Sequence, residues 1–106
     1  MTYEISFAAL GDPTRKAVFD RLRQGPQTVG ALAAGLPVSR PAISQHLKVL
    51  KEAGLVLDQA DGARRLYRID AKGLEKLKSY LTGVWEEAEA AHQAEIEHQL
   101  EERRYG

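Results

Sequence analysis

The stretch after Asp70 sets the hardest constraint on this chain. Asp70 can cap a helix running to about Arg103, and Leu74, Leu77, Leu81, Val84, Trp85, Ala88, His92 and Ile96 recur along it at the three-to-four spacing of one face. At about 1.5 Å per residue such a helix is roughly 45 Å long. A chain of 106 residues builds one modest core, which is too small to cover that stripe. The part from Leu81 through Trp85 to Ile96 therefore needs a partner, and the first helix with its symmetry copy is expected to supply one. The expected joint between two copies comprises Tyr3, Phe7, Leu77, Leu81, Val84, Trp85, Ala88, His92 and Ile96, with Gly83 as a place where the long helix can kink.

The rest of the chain is punctuated by caps and breakers. Tyr3–Leu10 reads as a short helix with an apolar stripe at Ile5, Ala8 and Ala9, beside Phe7 and Leu10, closed by Gly11. Asp12 followed by Pro13 opens a second helix to about Gln24, facing inward through Ala17, Val18 and Leu22 with Phe19 beside them. Gly25-Pro26 breaks the chain, Thr28 caps a short third helix to Ala33 or Ala34, and Gly35 with Pro37 makes a tight turn. Ser39 then caps a helix to about Ala53, ended by Gly54. Residues 55–58 and Arg64–Ile69 are β-rich runs around Asp61-Gly62, a hairpin signal.

The fourth helix has two unlike faces. Ile43, Leu47 and Leu50 line one, widened by Ala42, Val49 and Ala53, while Arg40, Pro41, Ser44, Gln45 and Lys48 fall on the other. A helix docked on a core yet offering donors outward, preceded by a short helix and followed by a hairpin, makes a winged helix-turn-helix. The expected fold is mainly α with a β-hairpin wing. It forms one domain over 1–106, with the helix-turn-helix at 28–53, the wing at 55–69, and dimerisation helices at 3–10 and 71–103.

That geometry assigns roles by chemistry. Gln45 suits the edge of an adenine, and Lys48 also offers its donors to base edges. Arg40 can read a guanine or hold a phosphate; Ser39 and Ser44 suit phosphates, which position a protein without reading sequence. Arg64 and Arg65, at the hairpin tip, can reach a neighbouring backbone or a narrow minor groove. His46 lies at the edge of the apolar face, where packing or a phosphate contact suits it better than base reading, and Tyr67 packs the wing strand onto the helices.

Charge is compatible with one face meeting phosphates, and equally with plain solvated surface charge. Net charge is zero, but residues 1–70 carry ten Lys/Arg against seven Asp/Glu, and residues 71–106 carry five against eight. There is no cysteine, hence no disulfide framework and no thiolate site, in keeping with a cytoplasmic protein. Apolar runs are too short to span a membrane, and the N-terminus lacks a signal-peptide pattern. No Gly-rich phosphate loop, cysteine or nucleophile elbow points to an enzyme, and no cofactor is expected.

Three ordered segments resemble one family. Residues 10–22, LGDPTRKAVFDRL, are similar to the opening helix signature of the ArsR/SmtB repressors. Residues 38–56, VSRPAISQHLKVLKEAGLV, resemble their recognition helix and the start of the wing, and residues 61–69, DGARRLYRI, resemble the wing's returning strand. The resemblance spans roughly residues 3–96. It implies a homodimeric repressor on double-stranded, pseudo-palindromic operator DNA, an autorepressor where that operator is its own promoter, usually released by a small effector whose identity the sequence leaves open.

Many members of that family sense metals. Their thiolate site lies in the third helix, yet residues 30–36, GALAAGL, hold no ligand. Their other site pairs Asp-x-His with a His-x-x-Glu eleven residues beyond that histidine. This chain has His92-x-x-Glu95 and His98-x-x-Glu101, but Leu81 and Glu87 stand where the first histidine belongs, with Ser79 and Trp85 at the preceding ligand positions. No metal site is expected. The rival readings are a metal-responsive repressor with a non-standard His/Glu site on the last helix, and a winged helix serving only as a protein–protein module. The module is disfavoured by the donor-rich fourth helix and Arg64-Arg65, where apolar or acidic surface would be expected.

Overall fold

The computed structural model describes residues 3–105, with side chains from Glu4 to Arg104. Seven elements follow in order: α1 (Tyr3–Leu10), α2 (Pro13–Leu22), α3 (Val29–Gly35), α4 (Arg40–Glu52), β1 (Val56–Asp61), β2 (Arg64–Ile69) and α5 (Ala71–Tyr105). Each main helix start has its side-chain cap. Asp12 accepts from the Arg15 amide at 2.9 Å, Thr28 from Ala31 at 3.1 Å and Ser39 from Ala42 at 3.4 Å. Asp70 accepts from the amides of Lys72 and Gly73 at 3.0 and 3.2 Å. These bonds satisfy amides that have no partner inside the first turn. At the end of α4, Gly54 adopts φ +79°, which lets Leu55 N–H reach the Leu50 carbonyl at 3.0 Å and turns the chain into the wing.

The core is built where α2, α3 and α4 meet the wing. Val18, Leu22, Leu32, Ile43, Leu47, Leu50, Leu55 and Val56 are buried in it, with Phe19 and Tyr67 partly buried around its edge. β1 and β2 pair antiparallel from Val56 opposite Ile69 to Asp61 opposite Arg64. The loop is thus only Gly62-Ala63, and β1 runs three residues beyond the expected end at Asp58. Gly62, at φ +61°, takes the first loop position, where the backbone must go left-handed to return the chain. Gln27 extends this sheet by one residue: its N–H and C=O both bond Tyr67 at 2.9 Å, tying the wing to the chain entering α3.

α1 departs from its sequence pattern, whereas α5 keeps to its own. In α1, Ser6 and Ala9 face inward while Ile5, Phe7 and Ala8 are exposed, so the expected stripe is rotated. The Ser6 hydroxyl donates to the Ala53 carbonyl at 3.2 Å, fastening α1 to the end of α4. α5 is continuous from Ala71 to Tyr105 with Gly83 inside it. Leu77 is buried and Leu74 partly buried under the core, Tyr80 meets Phe7 of α1, and beyond Tyr80 the large apolar side chains of the helix are exposed. The radius of gyration is 20.0 Å, against roughly 13 Å for a compact domain of this length. No helix among the described residues is long and apolar enough to cross a membrane.

Candidate nucleic-acid interface

α4 delivers its two faces as its spacing requires. Ile43, Leu47 and Leu50 are fully buried, while Arg40, Pro41, Ser44, Gln45 and Lys48 are exposed. The buried stripe holds the helix rigidly, so the polar side chains stand on a fixed ridge. Ser39 is exposed beside them, with its hydroxyl oxygen capping the helix. His46 is half-buried, and its Nδ1 has no hydrogen-bond partner among the described residues. Asp12 lies nearby: the Arg15 amide, then Arg15 and His46, hold the Asp12 carboxyl below the usual carboxylate range.

The wing brings a paired set of charges. Arg64 Nη2 donates to Asp61 at 3.1 Å, and Arg65 Nε donates to Asp58 at 2.6 Å. Lys51, from the last turn of α4, reaches the other oxygen of Asp58 at 2.6 Å. The Asp58 side chain is only 8% exposed, and Lys51 and Arg65 together hold its carboxyl below the ordinary range. Asp58 therefore binds the recognition helix to both wing strands. Arg40, at the first turn of α4, points away from that ridge toward α3: its guanidinium lies 3.3 Å from where a Cβ on Gly30 would stand. Arg40, Arg64 and Arg65 line one cleft of about 510 Å³ together with Thr28, Val29, Gly30, Ala31 and Tyr67.

Residues 10–59, from the end of α1 through the first half of the wing, match the family model described as a helix-turn-helix domain. The chain is 53% identical over 83 residues to the HTH-type transcriptional regulator Rv2034 of Mycobacterium tuberculosis, covering 78% of each protein. It is 36% identical to the transcriptional repressor SdpR of Bacillus subtilis, over 65% of this chain and 77% of that one. Among solved structures, the homodimeric winged helix-turn-helix DNA-binding domain of Mb0332 from Mycobacterium bovis, described as a possible ArsR-family regulator, superposes with a TM-score of 0.65. That match has 29% identity and covers 80% of this chain and 79% of that domain. The chain belongs to the ArsR/SmtB family of transcriptional regulators.

Within this ArsR/SmtB regulator the residues expected at a dimer joint are distributed unevenly. Leu81, Val84, Trp85, Ala88, His92 and Ile96 are exposed along one side of α5, and Trp85 is 64% exposed. With Leu74, Leu77, Lys78 and Thr82 the first part of that stripe forms an apolar groove of about 760 Å³. Leu77 differs from expectation, being buried under its own subunit at the floor of the groove. Phe7 is exposed and meets the Tyr80 ring of α5 edge-on at 5.8 Å. The Tyr3 side chain lies outside the described residues. On α5, His98 pairs with Glu102 at 3.0 Å rather than with Glu101, and no three His, Cys, Asp or Glu side chains converge among the described residues.

Sequence reasoning missed Lys51, Asp58 and Gly30. No pattern in the sequence singles out Lys51 and Asp58, since only the return of β1 beside α4 brings them together. Gly30 reads as a small residue in a short helix until the Arg40 guanidinium is seen against it. Their only signal in sequence is their closeness to caps and turns.

Proposed function

We propose that this ArsR/SmtB regulator represses transcription as a homodimer on a pseudo-palindromic operator, including the operator of its own promoter. Each protomer lays the exposed ridge of α4 into a major groove, where Gln45 and Lys48 meet base edges and Ser39 and Ser44 with Pro41 and His46 lie along the flanking strand. Arg64 and Arg65 carry the wing to the adjacent backbone. The observation that carries this reading is α4 itself, buried on Ile43, Leu47 and Leu50 and fully open on the opposite, donor-rich side.

Dimerisation completes the reader. One recognition helix offers too few contacts for specificity, whereas two about 34 Å apart read both halves of a palindrome. The apolar side of α5 from Leu81 to Ile96, with Phe7 of α1, is surface of the kind a second copy covers. The homodimeric Mb0332 domain supports this assembly. The function requires no catalytic step. It belongs in the cytoplasm, beside the DNA, and release by a small effector acting across the α5 joint fits the family.

The test is a gel-shift of the purified protein on its own promoter region, with sedimentation at micromolar concentration. Retarded DNA that resists a shuffled competitor, together with a dimeric mass, is the expected result. A monomer, or equal retention of promoter and shuffled DNA, overturns the reading.

A further inference from the structure

Three arginines, Arg40, Arg64 and Arg65, line the cleft between α3, α4 and the wing, and like charges sharing one cleft favour an anion between them. Two already have carboxylates: Arg64 pairs with Asp61, and Arg65 with Asp58. Arg40 has no hydrogen-bond or ion-pair partner among the described residues. Asp58 is also shared with Lys51, so the cleft carries positive charge in excess, the complement of a phosphodiester. Its donors are arranged to suit. Asp58 engages Arg65 through Nε, which leaves both Nη groups without a partner among the described residues. Gly30, having no side chain, leaves room for the Arg40 guanidinium close against the cleft wall. The volume of about 510 Å³ is ample for a phosphate group with its neighbouring sugar atoms.

We infer that this cleft seats one phosphate of the DNA backbone, gripped between Arg40 and Arg65, so that Arg40 anchors and orients α4 and does not read bases. The inference rests on the DNA-binding reading above and assigns a role within it. It leaves sequence readout to residues farther along the helix, and it makes Asp58 a positioning residue that aims the Arg65 fork.

The test measures binding of wild type, Arg40→Ala and Gly30→Leu to two duplexes across a salt series by fluorescence anisotropy. One duplex is selected from a random-sequence pool, and the other is its shuffled version. Gly30→Leu keeps every charge and favours the helix, yet fills the seat. Both variants should melt cooperatively, as circular dichroism will report. The expected result is a loss on the order of tenfold on both duplexes alike, an unchanged ratio between them, and a log–log salt slope shallower by about 0.9 per protomer, the signature of one lost phosphate contact. A collapse of the ratio in Arg40→Ala with the slope intact makes Arg40 a base reader and overturns the seat alone. Wild type that fails to separate the two duplexes overturns the DNA-reading proposal as well. A free small anion is the other source of the same chemistry: stoichiometric binding of inorganic phosphate by calorimetry, with release of DNA, would assign the cleft to an effector and not to the backbone.

Discussion

Asp58 accepts a hydrogen bond from Arg65 Nε at 2.6 Å with one oxygen while its other oxygen holds Lys51 at the same distance. The contact crosses from the end of the recognition helix to both wing strands, so wing and helix keep one relative angle. Rigid spacing between helix and wing is what a reader of both groove and backbone needs.

The Asp58 clamp has a defined pH signature. Its carboxyl is held below the ordinary range, first by Lys51 and then by Arg65. A depressed carboxylate adds stability above its unfolded pKa, and that stability is lost as pH falls through the folded value. Asp58→Asn should therefore cost about 1 kcal/mol at neutral pH, the scale of ion pairs whose cations are half in solvent. Urea midpoints should show this gap between wild type and variant at pH 6 and its closure below about pH 4. A gap that persists unchanged at pH 3 would mean the carboxylate charge is not what the variant loses.

Gln45→Ala should act on specificity where Arg40→Ala acts on grip. Gln45 stands exposed on the open ridge of α4, and loss of a bidentate base contact costs about 1–3 kcal/mol on the preferred sequence only. The ratio of operator to shuffled affinity should fall while the salt slope stays at the wild-type value. Equal losses on both duplexes would remove Gln45 from base readout.

Trp85→Ala should separate assembly from folding. The ring is 64% exposed in the protomer, so its removal leaves the core untouched. At a dimer joint such a ring is a natural anchor worth about 2 kcal/mol or more. Sedimentation equilibrium should show a dissociation constant raised at least tenfold, with an unchanged circular dichroism spectrum. A dimer as tight as wild type would exclude this part of α5 from the joint.

Gly73→Ala and Gly83→Ala test how α5 is seated. A Cβ on Gly73 would clash with the Gly54 carbonyl oxygen, whereas one on Gly83 meets nothing within 4 Å. The first substitution should push α5 off the end of α4 at a cost of about 1–3 kcal/mol. The second should stabilise the helix by up to about 1 kcal/mol. Thermal midpoints moving in opposite directions are the expected outcome, and parallel shifts would contradict the close approach of Gly73 to Gly54.

Much of this architecture is legible before folding because its causes are local. Asp12, Thr28, Ser39 and Asp70 cap helices, and Gly54 and Gly62 turn the chain, through bonds or dihedrals that involve only a few neighbouring residues. The two faces of α4 follow from period alone, so Gln45, Ser44 and Lys48 could be picked out as the ridge, and the length of α5 already required a second surface. Packing decided the rest. An eight-residue helix carries too few turns for its period to choose a face, and α1 rolled to bury Ser6 and Ala9 because the Ala53 carbonyl offered Ser6 a partner. The clamp of Lys51, Asp58 and Arg65 and the cleft of Arg40, Arg64 and Arg65 join residues from separate elements. Charges distant in sequence meet only when the wing folds back beside α4, and no local rule can state which of them will face each other.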